Sequence, residues 1–462
     1  MREDLSVTGS ELPPEPLSHS LKQRHLTMLG LGGVIGAGLF VGSGAGIGIA
    51  GPAIICSYLL AGVLAMLVMR MLGEMSAAMP ASGSFSVYAE KALGRWAGFS
   101  AGWLYWFLLV VVLAVEATGA ANIAHGWVPS VDQWLWVLIF MVVFTLSNLA
   151  AVRNFGEFEF WFAALKVGAI VLFLILGTLA VFGLLPDTEP VGMANLTGQG
   201  GFFPAGVGGV IAGMLAVVFA FGGLEVVTIA AAESDDPARS VSRAVRSAVW
   251  RILFFYVGSM LVIVSLLPWD SLEPGESPYV AVLDSIGIPA AGQIMNIVVF
   301  VALLSALNAN LYGSSRMVFS LAERGEAPKS LLKVSGSGVP TRAVLASVAF
   351  GFVSVVLNLL WPDTVFLYML NAVGAVLLFV WALIAVSQLR LRPRLERDMP
   401  ERLTLPMWAF PYLTWAALVG MAAVLVLMLF DDSARPQLLW SSGAAALVLL
   451  VAWYREARDR RS

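Results

Sequence analysis

The sequence predicts an all-α integral membrane protein of about 12 transmembrane helices, built as a five-plus-five inverted repeat with a final helix pair. Three observations carry this: bulk hydrophobicity, recurring uncharged runs of span length, and matching glycine interruptions in the first and sixth runs. Of 462 residues, 59% are hydrophobic and only 12% charged, with a mean hydropathy of +0.85. A water-soluble core of this length could not hide so much apolar surface. Uncharged stretches of about 20 residues recur along the chain, each long enough to cross the hydrocarbon as a helix. The alternation of a membrane barrel is absent.

The spans fall near 27–49, 53–73, 97–124, 134–152, 158–184, 206–232, 249–268, 291–321, 343–361, 364–388, 410–430 and 437–454. Residues 1–25 then form a polar amino-terminal tail, 26–186 the first repeat (helices 1 to 5) and 206–390 the second (helices 6 to 10). Residues 409–455 supply helices 11 and 12, and 456–462 a short tail. The first tail contains no hydrophobic segment, so the first span is expected to act as its own insertion signal. Every second connection is rich in Lys and Arg, which places 25 of the 27 basic residues on one side of the membrane. By the positive-inside rule that side is the cytoplasm, both termini are cytoplasmic, and the plasma membrane is the expected location. The exceptions are Arg435, in an outer connection, and Lys166, inside a span.

A single cysteine, Cys56, excludes an intramolecular disulfide, and His19, His25 and His125 are too scattered for a metal site. No nucleophile, base and orienting group fall in a recognisable motif, so an enzyme is not expected. Nor is a nucleic-acid partner.

The first span contains "GGVIGAGLF" (32–40), with four glycines in nine positions. Glycine is the ordinary residue least suited to a helix. Gly32 with Gly36, or Gly38 with Gly42, has the spacing by which small residues let helices approach closely. The alternative reading is a broken helix, and it gains weight from "FAFGGLEVV" (219–227), where Gly222 and Gly223 interrupt the sixth span just before Glu225. Corresponding breaks in two halves point to an inverted-repeat transporter with its site at the midplane. Free backbone N–H and C=O groups at that depth are tolerated where they line a cavity. A half-helix starting near Gly36 would aim its N–H groups at an anion. "GIGIAG" (46–51) also fits a dinucleotide-binding pattern, but it follows no strand and is read as a chance match in a chain with 45 glycines.

Charged residues inside spans are costly and mark function by default. Lys166 lies seven residues after Glu159, roughly 10 Å along the helix and too deep to snorkel easily. It is read either as a structural lysine bonded to carbonyls of the broken first helix or as a proton carrier standing where a sodium ion would otherwise sit. Glu116 and Glu225 are the other ionisable groups well inside spans. Either could pair with Lys166, receive a substrate ammonium or carry a proton, and Glu225 is favoured because it adjoins the break. Glu74, Glu157, Glu159 and Glu233 sit near cytoplasmic span ends and are read as anchors pairing with nearby arginines. Ser305, Asn308 and Asn310 in the eighth span either face the cavity or act as interhelical glue. Trp127, Trp134, Trp269 and Trp361 read as interfacial belt anchors.

The stretches "RHLTMLGLGGVIGAGLFVGSG" (24–44), "GSFSVYAEKALGRWAGFSAGWLYW" (83–106), "GEFEFWFAALKV" (156–167) and "VVTIAAAESDDP" (226–237) resemble the amino acid permeases of the amino acid/polyamine/organocation (APC) superfamily. The resemblance runs from about residue 20 to 455 and is strongest to bacterial γ-aminobutyrate permeases. It implies the APC-type fold and proton-driven uptake of a small amino acid, with protons and membrane lipid as the other partners and no cofactor beyond the proton gradient. It also implies a substrate carboxylate bound by the first break (Val34, Ile35, Gly36, Ala37, Gly38) and an amine met by the sixth (Phe219, Ala220, Phe221, Gly222). Glu225 and Asn308 join the expected substrate site, while Lys166, which matches a lysine of proton-coupled members, and Glu116 are the expected proton-coupling pair. An aromatic or basic α-amino acid is the nearer alternative substrate. An exchanger or a non-transporting sensor is a further alternative, although the short tails leave no room for a sizeable signalling domain.

Overall fold

In the computed structural model, which describes residues 35–80, 84–150, 155–186, 188–225, 237–272, 275–336, 338–430 and 435–459, the described residues are helical with no strand. The first span enters the described part at its interruption. Ile35 and a bend at Gly36 lead into α1 (Ala37–Phe40), which Val41 separates from α2 (Gly42–Ala50). A single 3-10 turn over Gly51–Ala53 joins α2 to α3 (Ile54–Ala78). A short helix, α4 (Ser84–Leu93), precedes α5 (Arg95–Trp127), α6 (Gln133–Ala150) and α7 (Phe155–Val181).

The second half follows through a short α8 (Ala194–Thr197) to α9 (Gly206–Ala220), then α10 (Pro237–Arg251), a π-helical turn over Ile252–Val257, and α11 (Gly258–Leu266). After α12 (Pro278–Ser285) come α13 (Ala291–Glu323), α14 (Thr341–Leu360), α15 (Val365–Asp398), α16 (Tyr412–Met428) and α17 (Arg435–Asp459). Each expected span overlaps described helix, the first and sixth only in part because residues 27–34 and 226–232 lie outside the described residues. The seventh differs at its start: helix begins at Pro237, twelve residues ahead of the expected boundary. Proline fits a first helical turn, where its missing N–H costs nothing. The arginines that follow at positions 239, 243 and 246 recur along one exposed helical face, so hydropathy alone hides this segment from the span.

Burial separates centre from rim. In its apolar window α5 is 78% buried, against 22% for α6 and for the window of α17, whose exposed apolar faces suit contact with lipid. The long helices α5, α13 and α15 therefore frame the interior. At one end, Glu74 of α3 is tied to α15 and the segment before α16. It accepts hydrogen bonds from Gln388 at 2.8 Å and from the Met407 backbone at 2.5 Å, and it pairs with Arg392. This is the arginine pairing expected of Glu74, although the side chain is fully enclosed. Breaking such a buried pair by removing one partner typically costs about 3–5 kcal/mol.

Candidate functional site

The interruption in the first span abuts the one in the sixth. A Cβ built on Gly38 would lie 2.7 Å from both the Ala220 Cα and a ring carbon of Phe219. One built on Gly36 would overlap the Glu116 carboxylate and come within 2.9 Å of the Ala306 side chain. The glycines are thus required by close approach of helices α5, α9 and α13, and the packing and broken-helix readings both hold. Val34 lies outside the described residues, as do Gly32 and Glu233. Ile35, Gly36, Ala37 and Gly38 are all buried.

Glu116, 3% exposed on α5, turns its carboxylate to the first N–H of α1. The Ala37 amide donates to both carboxylate oxygens, at 3.0 and 3.1 Å. The amides of Leu39 and Phe40 turn back to the chain itself, both donating to the Gly36 carbonyl at 3.2 Å. A carboxylate thus holds the end of the break where an anion is favoured.

In the sixth span α9 stops at Ala220, and the chain turns through Phe221, Gly222 and Gly223 before Glu225. The Phe219 carbonyl accepts from the Gly222 amide at 3.0 Å, which leaves it a second lone pair. Glu225 is 1% exposed and surrounded by donors. It accepts from its own segment through the Gly223 amide at 3.0 Å, from the Tyr105 hydroxyl on α5 at 3.4 Å, and from the Trp381 indole on α15. Its oxygens bind three helical elements together, an arrangement for holding the break in place.

Lys166 is 0% exposed on α7, and its Nζ has no hydrogen-bond partner among the described residues. The carboxylates acting on it electrostatically are Glu159 and Glu116. Glu159 overturns its expected role as an interfacial anchor. It is 0% exposed, accepts from Ser305 of α13 at 3.0 and 3.2 Å, and adjoins the Asn308 amide. Asn308 accepts from Asn148 of α6 at 2.8 Å, which places it with the Lys166 cluster. Sequence position concealed Glu159 because it stands only four residues inside α7. Its seven-residue spacing from Lys166, which puts both on one helical face, was the available signal.

Among the described residues no group of His, Cys, Asp and Glu could hold a metal. An open groove of about 520 Å³ between α7 and the π turn is lined by Val171, Leu174, Ile175, Thr178, Leu179, Phe254 and Phe255. It contains none of the residues above and is almost wholly apolar.

The family model described as amino acid permease matches residues 25–455. The γ-aminobutyric acid permease of Bacillus subtilis is 52% identical over 94% of this chain and 92% of its own length. That of Escherichia coli K12 is 45% identical over 96% and 95%. The aromatic amino acid transport protein AroP of Corynebacterium glutamicum is 51% identical over 92% of each chain. With the broken spans, the enclosed ionisable residues and a match over nearly its whole length, this chain belongs to the amino acid permease family and is a multi-pass membrane transporter of amino acids.

Proposed function

We propose that this permease imports γ-aminobutyrate or a closely related amino acid together with protons, by alternating access across the bacterial plasma membrane, with both termini in the cytoplasm. The observation that carries the reading is Lys166, enclosed, without a hydrogen-bond partner among the described residues, and under the influence of the carboxylate that occupies the first break. An ammonium deep in a membrane protein is expensive to maintain and is retained where its charge is used.

In this reading the substrate carboxylate approaches the backbone of residues 34–38. The Ala37 N–H that Glu116 holds is the donor that the substrate needs. Protonation of Glu116 removes its negative charge and weakens its grip on that N–H, so proton arrival and substrate binding favour one another. The substrate amine is met by carbonyls between Phe219 and Gly222. Glu225 then anchors the sixth break through Tyr105 and Trp381 rather than contacting the amine directly. These contacts join the break to α5 and α15, so any movement of the break against those helices must exchange them.

Two named relatives support γ-aminobutyrate, and the 51% identity to an aromatic amino acid transporter supports an aromatic substrate as the second reading. The test is uptake of labelled γ-aminobutyrate into proteoliposomes under an imposed inward proton gradient, with unlabelled amino acids as competitors. Gradient-dependent accumulation displaced best by γ-aminobutyrate is expected. Best displacement by phenylalanine or tyrosine would move the substrate assignment, and uptake indifferent to the gradient would remove the coupling. Lys166→Ala is expected to reduce accumulation to the level of empty vesicles while the protein still inserts. Full accumulation in that variant would take Lys166 out of the mechanism.

A further inference from the structure

Glu159 has no part in the scheme above, yet it is as enclosed as Lys166. The two lie on one face of α7, two turns apart. Long side chains on a helix lean toward its N-terminus, so the Lys166 stem leans toward Glu159. From α13, Ser305 donates to both Glu159 oxygens and Asn308 stands beside them. From α6, Asn148 reaches Asn308 two residues before that helix ends. A chain of hydrogen-bonded polar groups thus runs from Glu159, two turns from Lys166, to the end of α6, the end that the charge distribution assigns to the cytoplasm. Glu116 lies on another helix, against the first break. Among the described residues, the charges acting on Lys166 are Glu159 and Glu116, and the charge acting on Glu159 is Lys166.

We propose that Glu159 is the proton acceptor on the cytoplasmic side of Lys166, so that a proton entering at Glu116 leaves through Glu159. This rests on the proton-coupled reading and orientation given above. In the step, an N–H bond of the Lys166 ammonium breaks and its electron pair stays on nitrogen. The proton forms an O–H bond on the Glu159 carboxylate, so the pair passes from two opposite charges to a neutral amine and a neutral acid. The acid then loses its proton to cytoplasmic water, and the amine is recharged from Glu116. Ser305 tunes the release, because its hydroxyl donates to the charged carboxylate and favours that form.

The experiment uses full-length protein in proteoliposomes and compares two rates with labelled γ-aminobutyrate. One is accumulation driven by an inward proton gradient. The other is counterflow with substrate on both sides, which requires no net proton release. For Glu159→Gln, accumulation normalised to the variant's own counterflow is expected to fall tenfold or more, with partial recovery in Glu159→Asp. Ser305→Ala provides a second route if the glutamine variant does not insert. Loss of its hydrogen bond should move the dependence of uptake on internal pH upward by about one unit. An unchanged accumulation-to-counterflow ratio in Glu159→Gln, or an unchanged internal-pH profile in Ser305→Ala, overturns the proposal. Lys166→Ala is run alongside. If it too accumulates fully, the proton-coupled reading has failed. If it fails to accumulate while Glu159→Gln is normal, only the role of Glu159 is lost.

Discussion

The two interruptions are built from the same residue type for different physical reasons. In the first, Gly36 and Gly38 are small because other atoms occupy the space a side chain would need: the Glu116 carboxylate and Ala306 at one, the sixth span at the other. In the sixth, Gly223 has a φ of 91°, a left-handed conformation that L-residues with a side chain rarely adopt. The carboxylates differ as well. Glu116 reaches the first break from another helix and binds one backbone N–H, whereas Glu225 belongs to the sixth break and gathers donors from three elements. In the proposed reading, one interruption is thus a place where an anion is exchanged, and the other is a fixed corner. A glycine-rich run in a membrane span therefore has to be read with its partners before its role is known.

The largest expected effect is at the first break. Gly36→Val drives a branched side chain into the Glu116 carboxylate, which would have to leave the Ala37 N–H, and into the Ala306 Cβ, which no rotamer change can move. Substrate affinity should fall about 100-fold or more, equivalent to roughly 3 kcal/mol, as measured by equilibrium binding of labelled substrate to purified protein with size-exclusion elution as the folding control. Wild-type affinity would show that the glycines serve packing alone. A smaller effect is expected at the sixth break. Trp381→Phe removes one donor from the Glu225 carboxylate, and a hydrogen bond to a charged group contributes about 1.5–3 kcal/mol. Transport should slow by about tenfold or more with binding changed much less, since in the proposed reading the contact anchors the break without touching the substrate. An affinity loss as large as that of Gly36→Val would erase the contrast between the two breaks.

Much of this was legible in the sequence because membranes impose simple rules. Span positions follow from uncharged length, and Lys166 and Glu116 stand out because charge at that depth is rare. What escaped detection depends on neighbours distant in sequence. Glu159 is close to a helix end, where a one-dimensional reading places it at the interface, but Ser305 and Asn308 from α13 enclose it. Glu225 was visible as an intramembrane acid beside a break, whereas its saturation by Tyr105 and Trp381, 120 and 156 residues away, was not. The amphipathic start of the seventh span was hidden for the opposite reason: its arginines depress hydropathy over residues that are nevertheless helical.

The smallest expected effect separates strain from steric exclusion. Gly223→Ala puts a methyl group on a residue with positive φ, which costs about 1–2 kcal/mol in backbone strain. Gly36→Ala places the same methyl group where the Glu116 carboxylate stands. If the corner at the sixth break is structural, Gly223→Ala should lower the thermal midpoint by a few degrees at most and leave substrate affinity within about twofold of wild type. Gly36→Ala should show the reverse ordering, losing affinity out of proportion to any loss of stability, because the methyl group displaces the carboxylate that shares the Ala37 N–H with the substrate. Paired thermal-shift and binding measurements on the two alanine variants decide the matter. Equal losses of affinity would mean that both breaks contact the substrate directly, and the division into an exchange point and a fixed corner would have to be abandoned.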